Sequence, residues 1–181
     1  QALLGHIGQL PLARSFGLTP RGDFGLGLTN DETAAELARL GFASATASFE
    51  SRLAQIRDLS KPLDLELLVY GRLPLMLMEH CILRNRGQGC HCQDKPQSLG
   101  DRKGEHFPVE PAWGCRNELF NAKPLWLADK TDWRTAGAAY ARLAFLREGP
   151  GECARVFRAY REGAGEPPRA FTRGLYYRGV E

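Results

Sequence analysis

Strand-like apolar segments at residues 23–28, 43–49 and 65–70 begin about every 20 residues and alternate with helical segments of two to three turns. This alternation constrains the fold more than any other feature. A crossover of that length makes neighbouring strands parallel, and such crossovers are nearly always right-handed. Residues 1–16 put Leu3, Leu4, Ile7 and Leu10 on one helical face and stop at Gly17. Thr29, Asn30, Asp31 and Glu32 offer caps and early acidic residues to a helix with Ala34, Leu37, Ala38 and Leu40, closed by Gly41. Residues 51–59 are a further helix. The pattern returns late, with strands at 119–127 and 139–145, helices at 131–137 and 152–162, and a tail from Phe171. A complete eightfold barrel needs about 250 residues, and this chain has 181. The expectation is an α/β chain, one domain over 1–181 forming the second half of a TIM-like (β/α) barrel, with a small doubly wound sheet as the alternative. Because the chain opens with Gln1 inside a helix-like segment, the N-terminal half of the barrel is expected to be missing.

Between residues 71 and 114 the rhythm breaks. This stretch holds Pro74, Gly87, Gly89, Pro96, Gly100, Gly104, Pro108 and Pro111, with three cysteines and three of the four histidines. A long loop inside a compact domain is usually functional. Within it, residues 98–101 and 105–109 flank Arg102-Lys103-Gly104 as a small hairpin. The insertion follows a strand end, where α/β folds place functional residues, and Glu50 and Asp129 fall on the same side.

Bulk properties narrow the classes less. The chain is 43% hydrophobic and 25% charged with net charge +3, so charge alone argues for no particular partner. No stretch reaches the ~18 apolar residues of a membrane span and no signal peptide is visible, so a cytoplasmic protein without membrane attachment is expected.

Four of the five cysteines, Cys81, Cys90, Cys92 and Cys115, are clustered. Without a secretory signature, clustering favours metal over disulfides. The Cys-x8-Cys-x-Cys-x22-Cys spacing is not that of a zinc ribbon. Either zinc or a [4Fe–4S] cluster fits the thiolate set, and unconnected thiols are the plainer alternative. Cys153 sits among Val156, Phe157 and Tyr160 as a small core residue.

Several motifs, in order, resemble the peptidase U32 (collagenase-like) family. Residues 66–81, from Glu66 through Gly71 to Cys81, are similar to its signature. Leu99-Gly-Asp-Arg-Lys-Gly-Glu-His-Phe-Pro-Val109 resembles its hairpin, residues 115–125 its Cys-to-Pro-Leu strand, and residues 171–181 its ending. Residues 22–25 and 44–50 also fit. The resemblance implies the C-terminal half of a barrel catalytic domain and a peptidase label of unassigned catalytic type. Relatives in the same superfamily are oxygen-independent hydroxylases of transfer RNA, ribosomal RNA or the ubiquinone ring, with a cluster held by four cysteines. By position, Cys81 matches the second ligand, Cys90 or Cys92 the third and Cys115 the fourth. Pro74 stands at the first. The set then needs both Cys90 and Cys92, or His80 or His91, or has three ligands.

Hydrolysis finds little support in the residues. His80 adjoins Cys81 in sequence, which is not the spatial pairing of a cysteine protease, and no serine elbow or zinc-protease helix is present. His106 reads as a loop residue. Catalytic candidates are Glu50, Arg72, Glu79 and Asp101. Arg72 and Arg102 suit a carboxylate or phosphate through two-pronged contacts, or else pair with Glu79 or Asp101. Arg173 and Arg178 flank Tyr176 and Tyr177, a mixture able to stack on RNA bases, although such a tail more often packs onto its own domain. Peptide, RNA base and quinone all remain open as substrates, and a non-catalytic metal-binding half-domain is the third class.

Overall fold

The computed structural model describes residues 1–84 and 96–179. In chain order the elements are β1 (Ala2–Leu4), α1 (Leu10–Ser15), β2 (Pro20–Gly22), α2 (Asp31–Arg39), β3 (Ser44–Thr46), α3 (Leu53–Asp58), β4 (Asp64–Gly71), β5 (Pro74–Met78), β6 (Gln97–Gly100), β7 (His106–Ala112), β8 (Arg116–Phe120), β9 (Leu125–Trp126), β10 (Tyr140–Ala144) and α4 (Pro150–Glu162). Strands β1-β2-β3-β4-β10 pair in that order, all parallel, and β9 adds antiparallel contacts to the end of β4. A second, antiparallel sheet runs β5-β8-β7-β6. The α/β alternation is thus present, as an open parallel sheet.

Local chemistry accounts for where the boundaries depart from the periodicity. The expected helix over 1–16 is instead β1, a 3-10 turn at Ile7–Gln9 and α1. His6 Nδ1 accepts the Gly8 N–H at 3.0 Å, and the Gln9 side chain accepts those of Gly5 and His6. Regular helix begins only at Leu10, with Pro11 in its first turn, where a missing N–H costs nothing. The expected strand at 23–28 is replaced by β2 and a 3-10 turn at Phe24–Leu26, because Asp23 caps the Phe24 N–H at 2.8 Å and Gly27 closes the turn at φ 65°. The strand expected at 119–127 is cut in two. Phe120 ends β8, Pro124 lacks a ladder N–H, and β9 joins the other sheet. The helix expected at 131–137 is a single 3-10 turn, Asp132–Thr135. The hairpin falls where expected, as β6 and β7, but β5 and β8 pair alongside it, so about half of the described residues in the stretch read as a loop are strand.

One face of the parallel sheet is apolar. Ala45, Leu65 and Leu67 form a single core with Ala34 and Leu37 of α2 and Leu53 and Ile56 of α3. Burying each leucine or isoleucine contributes about 1.5–3 kcal/mol. The aromatic part of the same core lies where β4, β9 and α4 meet. There Tyr160 donates its hydroxyl to the Val69 carbonyl at 2.6 Å and accepts the Leu127 N–H at 2.7 Å, with its ring 5.5 Å from that of Trp126. Gly71 has φ 129°, and a Cβ there would lie 2.2 Å from the Ala144 carbonyl oxygen, so only glycine lets β4 and β10 end together. Among the described residues no helix is long and apolar enough to cross a membrane.

Candidate functional site: a charged sheet face beneath the cysteine-bearing sheet

The other face of the parallel sheet is polar by register. Arg21, Ser44 and Asp64 are aligned partners across β2, β3 and β4, and Thr46, Glu66 and Tyr140 across β3, β4 and β10. Side chains aligned in this way share one face. Arg142 of β10 is the centre of their network. Its Nη1 lies 2.5 Å from Asp23 Oδ1, and its Nη2 meets Glu66 Oε1 and, at 3.0 Å, Thr46 Oγ1. The Thr46 hydroxyl faces Glu66 Oε1 at 2.8 Å and the Gly22 carbonyl at 3.1 Å. Thr46 is fully buried, and the Arg142, Asp23 and Glu66 side chains are about one-fifth exposed.

These contacts report curvature. Strands β2 and β10 are separated by β3 and β4, a gap of roughly 14 Å in a flat sheet. Yet Arg142 reaches Asp23, and the Arg21 guanidinium stacks 4.7 Å from the Tyr140 ring centroid. The sheet therefore curls until side chains three strands apart touch across a concave face.

The second sheet contributes a further acid from β8. Along β8, Asn117 and Leu119 point one way and Glu118 the other. Asn117 is fully buried and accepts the Ile82 N–H at 2.8 Å; Leu119 packs against the Cys81, Leu83 and Val109 cluster. Glu118 feels Asp23 instead, and burial first, then that negative charge, push its carboxyl above the ordinary carboxylate range. A fixed Arg–carboxylate cluster beside an acid that holds its proton to higher pH can orient a polar group and exchange a proton with it. The shift has a thermodynamic signature. A carboxyl raised in the folded state contributes stability below its unfolded value, and that contribution is lost as pH rises through the folded value. Glu118→Gln is therefore expected to be more stable than the parent at neutral pH, with the advantage shrinking toward acid. Urea midpoints measured across pH 4–8 check it, and equal midpoints at every pH would remove Glu118 from the site.

Cys81 and Cys115 lie at one end of the second sheet. Strand β5 ends at Met78, opposite Asn117, and Cys81 follows three residues later, buried. Cys115 lies in the β7–β8 turn, two residues before Asn117, and is exposed. Strand β6 starts opposite Val109, in the middle of β7, and runs away from that end. Cys90, Cys92 and His91 lie outside the described residues. Among the described residues no three His, Cys, Asp or Glu side chains form a metal-binding group. Cys115 has φ 63°, the one positive φ outside glycine in the described chain, and follows Gly114 at φ 74°. A left-handed cysteine costs about 1–2 kcal/mol, and such strain is often kept for function. Cys153 is half-buried in α4, its thiol 3.6 Å from the Glu148 carbonyl.

The remaining candidates are scattered. Glu50 is exposed just beyond β3. Glu79 pairs with Arg116 at 2.8 Å, and Asp101 accepts the Lys103 and Glu105 N–H groups within the β6–β7 turn. Arg102 is exposed on that turn and His80 beside Cys81. Arg72 contacts the Asn121 and Ala122 carbonyls rather than Glu79 or Asp101. Arg173 grips Asp129 with two contacts of 2.6 Å, and Arg178 is exposed. Asp23, Thr46, Glu66, Arg142 and Glu118 were not singled out as site residues from sequence. The signal was present as lone charges inside apolar strands, Leu65-Glu66-Leu67 and Ala141-Arg142-Leu143. Comparison of the chain with protein-family models, with curated proteins and with solved structures gives no match.

Proposed function

We propose that this chain is a U32 peptidase-like protein, half of a β/α barrel, that holds a [4Fe–4S] cluster through Cys81, Cys115 and the Cys90/Cys92 pair and acts on a substrate lying against the concave face around Arg142. The observation that carries the reading is the placement of β8. One end of that strand adjoins Cys115 and Cys81, and Glu118 alternates to the face opposite Asn117, where burial and the Asp23 charge raise its carboxyl. Cys90 and Cys92 fall in the sequence between Arg84 and Pro96, outside the described residues. The barrel half rests on the unreversed strand order and the curl, since a doubly wound sheet reverses its order. Thiolate ligation also suits a reducing, cytoplasmic compartment.

When bound, the cluster supplies electron transfer or a Lewis-acidic iron. The chain's own residues do the rest: Arg142 fixes Asp23 and Glu66, and Glu118, raised by burial and by the Asp23 charge, keeps its proton to higher pH. Thiolates beside a charged, concave face favour redox chemistry on an RNA base or a quinone ring over peptide hydrolysis. Zinc in the same thiolates is the competing occupant.

Purified without oxygen, the protein is expected to be brown, with broad absorption near ~400 nm and stoichiometric iron. Cys115→Gly separates the roles of that residue. Glycine relieves the left-handed backbone, so the iron-free chain should gain up to about 1 kcal/mol, while iron binding is lost. A colourless parent with stoichiometric zinc, or Cys115→Gly retaining its iron, overturns the assignment. Gelatin cleavage surviving Cys81→Ala would show proteolysis independent of the thiolates.

A further inference from the structure

We infer that the cleft between the C-terminal ends of β4 and β10 and the β6–β7 hairpin is a binding site for a phosphoryl group. It is separate from the Arg142 network and from the cysteine end of the second sheet. Its volume is about 350 Å³, and Arg72, Ser98, His106, Pro108, Arg147 and Glu148 line it. Arg72 follows Gly71 at the end of β4, and Arg147 and Glu148 follow β10. Strand C-terminal ends are where parallel α/β sheets place ligands.

The donors are fixed in advance. Arg72 Nη1 is anchored on the Asn121 and Ala122 carbonyls. Arg147 is anchored by Glu110 at 2.5 Å and by the Gln97 and Val109 carbonyls. Ser98 and His106 are diagonal neighbours on one face of the β6–β7 ladder, with Ser98 Oγ 3.5 Å from His106 Nδ1. Glu148 is turned inward to the Tyr70 hydroxyl at 3.0 Å and to the Leu146 and Arg147 N–H groups, three donors that offset its charge. Among the described residues Arg72 has no carboxylate partner. A guanidinium that meets carbonyls and no carboxylate among the described residues, with a hydroxyl and an imidazole arriving from different strands, suits a tetrahedral oxyanion better than a planar carboxylate. Held donors bind more tightly than mobile ones, because less ordering is left to the binding step.

The phosphoryl group can come from a small phosphate ester or from a nucleic-acid backbone. Calorimetric titration of the full chain with inorganic phosphate, ribose 5-phosphate, a short RNA and acetate distinguishes these sources. Phosphate is expected to bind saturably and acetate much more weakly. Ribose 5-phosphate exceeding the RNA marks a small ester, and the reverse marks the backbone. Arg72→Gln and His106→Ala should each weaken phosphate roughly tenfold or more. Neither Ser98→Ala nor His106→Ala removes a contact to the backbone, so both keep the test valid if Arg72→Gln unfolds. Phosphate binding that is absent, no tighter than acetate, or unchanged in His106→Ala and Ser98→Ala overturns the assignment, whatever the iron content.

Discussion

Arg142→Met is expected to destabilise the fold by about 3 kcal/mol, far more than loss of a surface ion pair, which contributes about 0–1 kcal/mol. The reason is what the substitution leaves behind. Asp23 and Glu66 both contact this one guanidinium on the concave face, and Glu118 on β8 feels the Asp23 charge. Methionine fills a similar volume, so the packing loss is small. Two mostly buried carboxylates then face each other without a cation, and each keeps a desolvation cost that Arg142 had offset. The double change Arg142→Met with Glu66→Gln should recover much of the loss by removing one of the negative charges. Urea denaturation of the parent, the single and the double variant measures this directly. If the single variant loses under 1 kcal/mol, or the double is no better than the single, the network is a surface feature and not the centre of a site.

That network also marks the limit of what could be read from sequence. Strands β3, β4 and β10 and helices α2 and α4 were legible, because periodicity and caps are local: Asn30 caps Thr33 at 2.9 Å, and Gly163 ends α4 at φ 68°. The β6–β7 hairpin was legible for the same reason, with Asp101 holding its turn. What failed was long-range. Arg142 and Asp23 are 119 positions apart, and they meet only because the sheet curls, which no helical or strand period encodes. Strand β5 was missed because its residues do not alternate. Pro74–Met78 reads apolar throughout, and on an edge strand Leu75, Met76 and Leu77 are all more than half exposed. The four cysteines were read from sequence as one ligand set; the topology places Cys81 and Cys115 at one end of a sheet, and Cys90 and Cys92 lie outside the described residues. For Arg72, electrostatics suggested an acidic partner, whereas backbone carbonyls left by the break after β8 hold it.

The tail from Phe171 is the second place where a large effect is expected. Tyr176 is fully buried, donates its hydroxyl to the Leu68 carbonyl at 2.8 Å, and gives its own carbonyl to the Leu53 N–H at 2.9 Å. Thr172 bridges to Leu125, and Arg173 clasps Asp129 and the Trp126 carbonyl. One short segment thus ties α3, β4 and β9 together, which excludes Tyr176 as a free stacking platform for RNA bases. Tyr176→Ala should cost about 3–5 kcal/mol, in line with other buried aromatic truncations. Tyr176→Phe should cost about 1–2 kcal/mol, because it removes only the donor to a buried carbonyl. Ending the chain at Ala170 should abolish cooperative unfolding of the parallel sheet. The Asp129–Arg173 clasp adds a pH dependence of known sign. The hydrogen bond from Arg173 holds the Asp129 carboxyl below its ordinary range, so its stabilisation is full above that range and is lost as pH falls through the lowered value. Asp129→Asn should therefore be less stable than the parent at neutral pH and nearly equal to it in strong acid. Thermal and urea unfolding followed by circular dichroism test each step. A truncated chain that unfolds like the parent would show the tail to be an appendage whose tyrosines and arginines are available to a ligand.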